Sequence, residues 1–262
     1  MTPTKIYEVE DEPLGEGTYG TVYKAQHRKT KKLVAVKKIK ISKREEAIPI
    51  MKEIAHLKDC KSKYIIKMVD QPYLEVTSQG IIFCWVVLEY CSEGSLEKYI
   101  KRCGEQVLNS IIHDTLQGLI YLHSKGIIHR DIKPDNILFK PGKNGSGVFK
   151  LGDLGIAKKI ESNQRAQTQT AIGTAGYQAP EIEEHKYTNK VDIYSWGRTI
   201  LKLAAKDTLS ARAKSVLGKC CDYHPYNRPT AKQLYAELCT KNKSKDQDDQ
   251  KKRLVTLMFK QS

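Results

Sequence analysis

Up to about residue 92 the hydrophobic positions alternate with polar ones, as strands require, and beyond it they recur every third or fourth position, as helices require. Residues 7–41 predict strands joined by turns: 7–14, a glycine-bearing turn over 15–20, then 21–25 and 33–39. Ile50, Met51, Ile54 and Leu57 return at helical spacing just after Pro49, a residue suited to a helix's first turn. Residues 80–90 predict a short apolar strand. Leu96, Tyr99 and Ile100, followed by Ile111, Ile112, Leu116 and Leu119, predict two helices, and no internal repeat is visible. The stretch KNKSKDQDDQKK, 241–252, predicts a charged linker running into a short apolar end over 254–259.

A chain of 262 residues can form one large domain or two lobes, each with its own core. Its 40% hydrophobic content and 14 Tyr exclude a disordered chain. The formal charge of +15 raises the question of an anionic partner. The lysines are scattered over 24–43, 58–67 and 241–252 with no nucleic-acid motif among them, so a solvated basic surface is preferred and no nucleic acid is expected. The seven Cys include no CxxC pair and no Cys/His ladder, which argues against zinc and against a disulfide framework. No cationic start followed by an apolar stretch opens the chain, and the longest apolar run, 81–88, is far short of a membrane span. A reduced, intracellular protein, cytoplasmic or nuclear and without a membrane partner, is the expectation.

Three glycines in LGEGTYGTV, 14–22, would let backbone amides approach phosphate oxygens, although a hairpin with glycines at its tip explains them equally well. The strand VAVK then brings Lys37, which by itself is most simply a surface lysine. The sequence IIHRDIKPDN, 127–136, gathers a His, an Arg, two Asp, a Lys and an Asn on one loop directly after an apolar run. Asp153 follows in GDLG, and APE at 179–181.

Taken in order, the glycine loop, Lys37, Glu53 on its helix, HRDIKPDN, GDLG and APE resemble the eukaryotic protein kinase superfamily, serine/threonine type, over residues 7–240. The resemblance implies an α+β, two-lobed protein kinase fold over 1–240. A small β-rich lobe with one helix and the hinge would occupy 7–91, a larger mainly helical lobe 92–240, and a charged tail 241–262. It implies ATP and Mg2+ as cofactors and protein substrates with Ser or Thr acceptors. Asp131 would be the base, and Lys133 would steady the transferring phosphate. Lys37 would hold the α and β phosphates, aimed by Glu53, and Thr174 would bridge Asp131 and Lys133. Asn136 and Asp153 would be oxygen ligands of magnesium, completed by phosphates and water. Leu14, Gly15, Gly17 and Gly20 would cover the nucleotide. Val22, Ala35 and Leu138 would sandwich its adenine, Leu88 would be the gatekeeper, and the backbone of Glu89 to Cys91 would bond the adenine edge. Leu57, Met68, Leu154 and His129 would stack as a spine, Asp192 would hold the base of His129 and Arg130, and Glu181 would pair with Arg228.

Arg130 beside Asp131 invites an anion, so Thr170, four residues before Thr174, is the expected activating phosphosite, with Lys158 as second cation and an upstream kinase as a candidate partner. Ile156 after DLG leans towards threonine acceptors. Asp135 points to a basic residue upstream in the substrate, whereas the +15 charge points to acidic partners. KLGDLGIAKK is similar to NIMA-related kinases, while GEGTYG and VAVKKI resemble cyclin-dependent kinases. The interval from VDIYSWGRTILKL to SVLGKCCDYHPYNRPT is about a dozen residues, which implies a shortened large lobe. A pseudokinase that binds nucleotide and acts as a scaffold is the alternative. The presence of Lys37, Asp131 and Asp153 favours the enzyme.

Overall fold

A computed structural model describes residues 3–17, 20–41, 54–55, 58–142, 147–154, 158–159, 166–167, 176–184 and 186–239. The chain divides into two compact units, one comprising Met1–Lys61 and Ile66–Cys91, the other Ser62–Ile65 and Ser92–Ser262.

The first unit is a five-stranded antiparallel sheet of β1 (Tyr7–Gly17), β2 (Gly20–His27), β3 (Leu33–Ile41), β4 (Tyr73–Val76) and β5 (Ile82–Glu89), in the order β1-β2-β3-β5-β4. The composition of β3 and β5 explains their inner position. Val34, Ala35, Val36 and Lys37 are buried in succession on one, and Cys84, Trp85, Val86 and Val87 on the other, as a strand covered on both faces requires. Tyr7, Ala25, Val34, Val36, Trp85 and Val87 form the core of one face. Beside it Tyr7 and Tyr73 both donate their hydroxyls to Asp70 Oδ2, at 2.7 and 2.5 Å. Burial opposes ionisation of Asp70, but these two donors and the Gln71 amide outweigh it and hold its carboxyl below the usual range.

The strands run further into the glycine region than expected. β1 ends at Gly17 and β2 starts at Gly20, paired directly with each other. Gly20 has φ +151°, and a Cβ there would lie 2.2 Å from the Lys38 carbonyl oxygen, so only glycine fits. Of the helix expected around Glu53, only Ile54–Ala55 and Lys58–Asp59 are described, and they are helical; Glu53 and Leu57 lie outside the described residues.

In the second unit α1 (Glu105–Ser124) buries Val107, Leu108, Ile111, Ile112, Thr115, Leu116, Leu119 and Leu122, a stripe at three- and four-residue spacing. There follow β6 (Ile127–Ile128), β7 (Ile137–Pro141), β8 (Gly147–Leu151), β9 (Lys158–Lys159), β10 (Ala166–Gln167) and β11 (Lys186–Tyr187), then α2 (Lys190–Leu203), α3 (Ala211–Cys220) and α4 (Ala231–Cys239). The short strands pair as β6/β9, β7/β8 and β10/β11, all antiparallel. Trp196 of α2 is fully buried and donates its indole N–H to Thr115 Oγ1 at 2.9 Å, which in turn donates to the Ile111 carbonyl at 2.6 Å. Gly197 permits α2 and α3 to meet, since a Cβ there would stand 2.6 Å from Cys220 Cβ.

One expectation changes. The helix predicted from Leu96, Tyr99 and Ile100 is a single 3-10 turn, Glu97–Tyr99. The Leu96 amide is tied to the Pro134 and Ile137 carbonyls at 3.1 and 2.9 Å, and Lys101, at φ +60°, turns the chain out of helical geometry. The interval of about a dozen residues read from the sequence after α2 holds, and its last four residues, 211–214, already belong to α3. α3 starts at Ala211, capped by Ser210 Oγ accepting from the Ala213 amide, so only 204–210 join the two helices. No described helix is long and apolar enough to cross a membrane.

Candidate active site

The loop between β6 and β7 carries the ionisable cluster, and its shape is set from beneath by Asp192 in the first turn of α2. Asp192 is completely buried. Its Oδ1 accepts the Arg130 amide at 2.8 Å, and its Oδ2 accepts the His129 amide at 2.9 Å and the His123 Nε2–H at 2.8 Å. Burial by itself would push this carboxyl up. The His123 hydrogen bond, the nearby His123 and His129 rings and the Arg130 amide outweigh burial and hold it below the usual carboxylate range. His123 was not anticipated, because nothing in YLHS signals that its ring reaches residue 192.

His129 is buried and structural. Its Nε2–H donates to the Gly152 carbonyl at 2.8 Å and its Nδ1 accepts from the Asp131 amide at 3.4 Å, a pair of bonds that selects one tautomer. The Gly152 amide in turn donates to the Asn136 carbonyl at 2.9 Å. Residues 129, 131, 136 and 152 are thereby linked through backbone, and Asp153 follows at φ +52°.

On this frame Asp131 Oδ2 accepts from Lys133 Nζ at 3.2 Å and from Asn136 Nδ2 at 2.8 Å. Asn136 Nδ2 also donates to the Asp131 carbonyl at 2.8 Å, which commits both amide hydrogens and leaves Oδ1 as a neutral oxygen donor. Together with the Asp153 carboxylate this is a set of few, hard oxygen donors of the kind magnesium accepts alongside phosphates and water. Among the described residues no group of three His, Cys, Asp or Glu could hold a metal ion by itself.

Arg130, at φ +70°, is buried with one terminal nitrogen donating to the Tyr187 hydroxyl at 2.7 Å and its Nε without a hydrogen-bond partner. Further along, Glu181 and Arg228 form the expected ion pair, a two-pronged contact at 2.6 and 2.8 Å. The guanidinium is completed by the carbonyls of Asp222, Lys190 and Tyr223 and by the ring of Tyr194 at 4.9 Å. Thr199 Oγ1 of α2 reaches the Ile132 carbonyl at 3.4 Å, another unanticipated support for the loop.

The remaining candidates divide by unit. In the first, Leu14, Gly15 and Gly17 lie on β1, Gly20 and Val22 on β2, Ala35 and Lys37 on β3, Leu88 and Glu89 on β5, and Cys91 just beyond. Register sets Lys37 beside Val22 and Val86, and Ala35 beside Leu88. Lys37 is buried, 5% exposed. Met68 bridges to Leu88 there. In the second, Leu138 lies on β7, bridged to Ser95, and Leu154 is fully buried. Thr170, Thr174 and Ile156 lie outside the described residues, and Lys158 is described only as backbone of β9, opposite Ile128.

Residues 7–211 match the Protein kinase domain family. The serine/threonine-protein kinase cst-1 of Caenorhabditis elegans is 38% identical over 207 residues, 77% of this chain and 39% of its own. The serine/threonine-protein kinase pakG of Dictyostelium discoideum is 35% identical over 253 residues, 84% of this chain and 20% of its own. The serine/threonine-protein kinase hippo of Drosophila melanogaster is 37% identical over 207 residues, 77% and 29%. The chain thus spans between a fifth and two fifths of the length of these curated relatives. The cst-1 and hippo kinases are STE20-like, so the likeness of KLGDLGIAKK to NIMA-related kinases does not mark the subfamily: so short a segment is too small to outvote 207 aligned residues. By the extent of this match, and by a loop whose geometry fits it, the chain belongs to the protein kinase domain family, serine/threonine kinase type.

Proposed function

We propose that the chain is an ATP- and magnesium-dependent serine/threonine protein kinase with Asp131 as its base. The observation that carries this reading is the Asp131 carboxylate gripped by Lys133 and Asn136 on a loop anchored to buried Asp192. When bound, ATP supplies the phosphoryl group and magnesium draws charge from the phosphate oxygens. Asp131 orients the acceptor hydroxyl and takes its proton as the new O–P bond forms and the bridging O–P bond to the leaving diphosphate breaks. Lys133 contributes a fixed cation where negative charge spreads over the transferring group. Asn136 and Asp153 hold the metal, Lys37 the α and β phosphates with Glu53 behind it, and Thr174 bridges Asp131 and Lys133. Leu14, Gly15, Gly17, Gly20, Val22, Ala35, Leu88, Glu89, Cys91 and Leu138 receive the nucleotide.

Protein Ser/Thr hydroxyls inside the cell, threonine favoured by Ile156, are the substrates in this reading. Phosphorylation of Thr170, by an upstream kinase or by the chain itself, is its control. Support for that comes from Arg130, whose buried Nε has no partner and could be satisfied by an added phosphate nearby.

The test is phosphosite mapping by mass spectrometry after incubation with ATP and magnesium, beside Asp131→Asn. Phosphate on the parent alone is expected. Two equally bare proteins whose melting temperature still rises with nucleotide would favour a pseudokinase scaffold instead. For the regulatory part, a Thr170→Ala variant as active as the parent would remove Thr170 from the scheme.

A further inference from the structure

The charge around Gly176 and Tyr177, immediately before the APE segment, is unexpected for a site beside a carboxylate base. Two cations come from one face of α2, Arg198 and Lys202, four residues apart. Arg198 Nε donates to the Gly176 carbonyl at 3.2 Å, which fixes the guanidinium while leaving its two terminal nitrogens as donors. Lys202 Nζ stands 3.9 Å from the centre of the Tyr177 ring. Gly176 makes room for it: at φ +87°, a Cβ at this position would come within 3.3 Å of that ammonium. Among the described residues no carboxylate lies within ion-pair distance of either cation. The same helix turn carries Thr199, whose hydroxyl reaches the carbonyl of Ile132, the residue after Asp131. The helix that presents the two cations thus also supports the loop that carries Asp131, through Thr199.

The opposing charges are Asp135 and Glu97. Burial raises the Tyr177 hydroxyl first, these two carboxylates raise it further, and Arg198 lowers it. Both signs of charge thus act on the Tyr177 hydroxyl, while geometry fixes Lys202 at its ring face and Arg198 at the Gly176 carbonyl.

Resting on the kinase reading above, we infer that Arg198 and Lys202 select acceptor segments bearing a carboxylate or phosphate side chain close to the phosphorylated hydroxyl. A guanidinium already held by one backbone bond meets such an anion at little further ordering cost, and an ammonium held over an aromatic ring is similarly placed. The cationic pair gives the acidic-partner expectation from net charge a specific address.

The experiment is a positional peptide array around a fixed threonine, phosphorylated by the full chain, by Arg198→Gln, by Lys202→Gln and by Lys202→Glu, each checked for an unchanged melting temperature. The readout is the ratio of Asp- or Glu-bearing to Ala-bearing peptides at each position. Enrichment at one or more positions is expected for the parent. Each cation removed should lower that ratio about two- to fivefold, in line with partly exposed ion pairs, and Lys202→Glu should move the preference towards Lys and Arg. Fluorescence anisotropy with labelled acidic and neutral peptides, at low and raised salt, reads the same preference as a ratio of affinities without any phosphate transfer. Acid-dependent binding that the variants lose, in a chain that transfers no phosphate, would sustain the inference and sink the kinase reading. Transfer without acidic enrichment, or enrichment that neither neutral variant changes, would overturn the inference and spare the enzyme. Neither transfer nor acid-dependent binding would end both.

Discussion

Removing the Asp192 carboxylate, by Asp192→Ala, should unhinge the loop that carries Asp131. The substitution leaves the buried amides of His129 and Arg130, now 2.9 and 2.8 Å from a carboxylate, with nothing to accept them. Each such orphan costs about 1–3 kcal/mol, so the pair costs about 2–6 kcal/mol, before the loss of the His123 bond is added. Against a total stability of about 5–15 kcal/mol this is a large fraction. For a chain of this size each kcal/mol moves the melting temperature by about 2–4 °C, so a fall of roughly 4–24 °C is expected. Asp192→Asn should recover only part of it. The two carboxylate oxygens accept from different directions, and an amide must turn its NH2 towards one of those donors. Scanning fluorimetry gives the global effect, and hydrogen exchange at the amides of 129 and 130 gives the local one, with protection lost in the alanine variant. A melting temperature within 2 °C of the parent, with both amides still protected, would refute the anchoring argument.

The same carboxyl sets an acid limit. Its folded pKa lies below the unfolded value of about 3.9, so its contribution to stability is complete above that value and is lost as pH falls towards the folded one; urea melts at pH 5 and pH 3 should show the loss in the parent and a smaller loss in Asp192→Asn. Arg228→Ala leaves Glu181 as a buried, unpaired charge and should cost about 3–5 kcal/mol by denaturant melting, whereas Arg228→Lys, unable to make both prongs, should fall in between. Gly20→Ala forces a Cβ against the Lys38 carbonyl at φ +151° and should lower stability by about 1–3 kcal/mol, measured by the same melts. Burial pushes the thiols of Cys103 and Cys220 up to about 12, leaving about one part in ten thousand as thiolate at pH 8, so iodoacetamide should spare both in the native protein and label them only after denaturation.

What could be read from the chain depended on how local its cause was. The loop around Asp131 was legible from its own residues, which make little sense as packing, whereas the meaning of the glycine turn and Lys37 and the partnership of Glu181 with Arg228 came from the family resemblance. The apolar run of β3 and the stripe in α1 were legible because burial writes itself into the pattern, as consecutive apolar residues in a strand covered on both faces and as periodicity in a helix covered on one. The pattern Leu96, Tyr99, Ile100 misled because its apolar spacing is helical while the Leu96 amide is tethered to Pro134 and Ile137, forty residues on. Strand β4 is too short to establish an alternation. The β7/β8 hairpin is held by Phe139 and Phe149 meeting across it, with ring centres 4.9 Å apart, and by Asp114 of α1 accepting the Phe149 amide at 3.0 Å. His123 and Thr199 were missed because their partners are 69 and 67 positions away.

Ser62–Ile65 groups with the second unit although both flanking stretches group with the first. The Leu151 amide donates to the Tyr64 carbonyl at 2.8 Å, Ile65 pairs with Leu151 as a parallel bridge, and Lys150 Nζ reaches the Ile65 carbonyl at 3.3 Å. Anyone dissecting the gene will find that a cut at Ser92 does not liberate the helical unit. Its strand β8 would emerge with a bare edge, a buried lysine stripped of an acceptor and a leucine amide unanswered. Circular permutation that closes the chain elsewhere, or a split that carries 62–65 along as a supplied peptide, respects the wiring where simple truncation does not. During synthesis, too, this tetrapeptide leaves the ribosome well before the hairpin it completes, so the second unit cannot finish without reaching back past the two strands made in between.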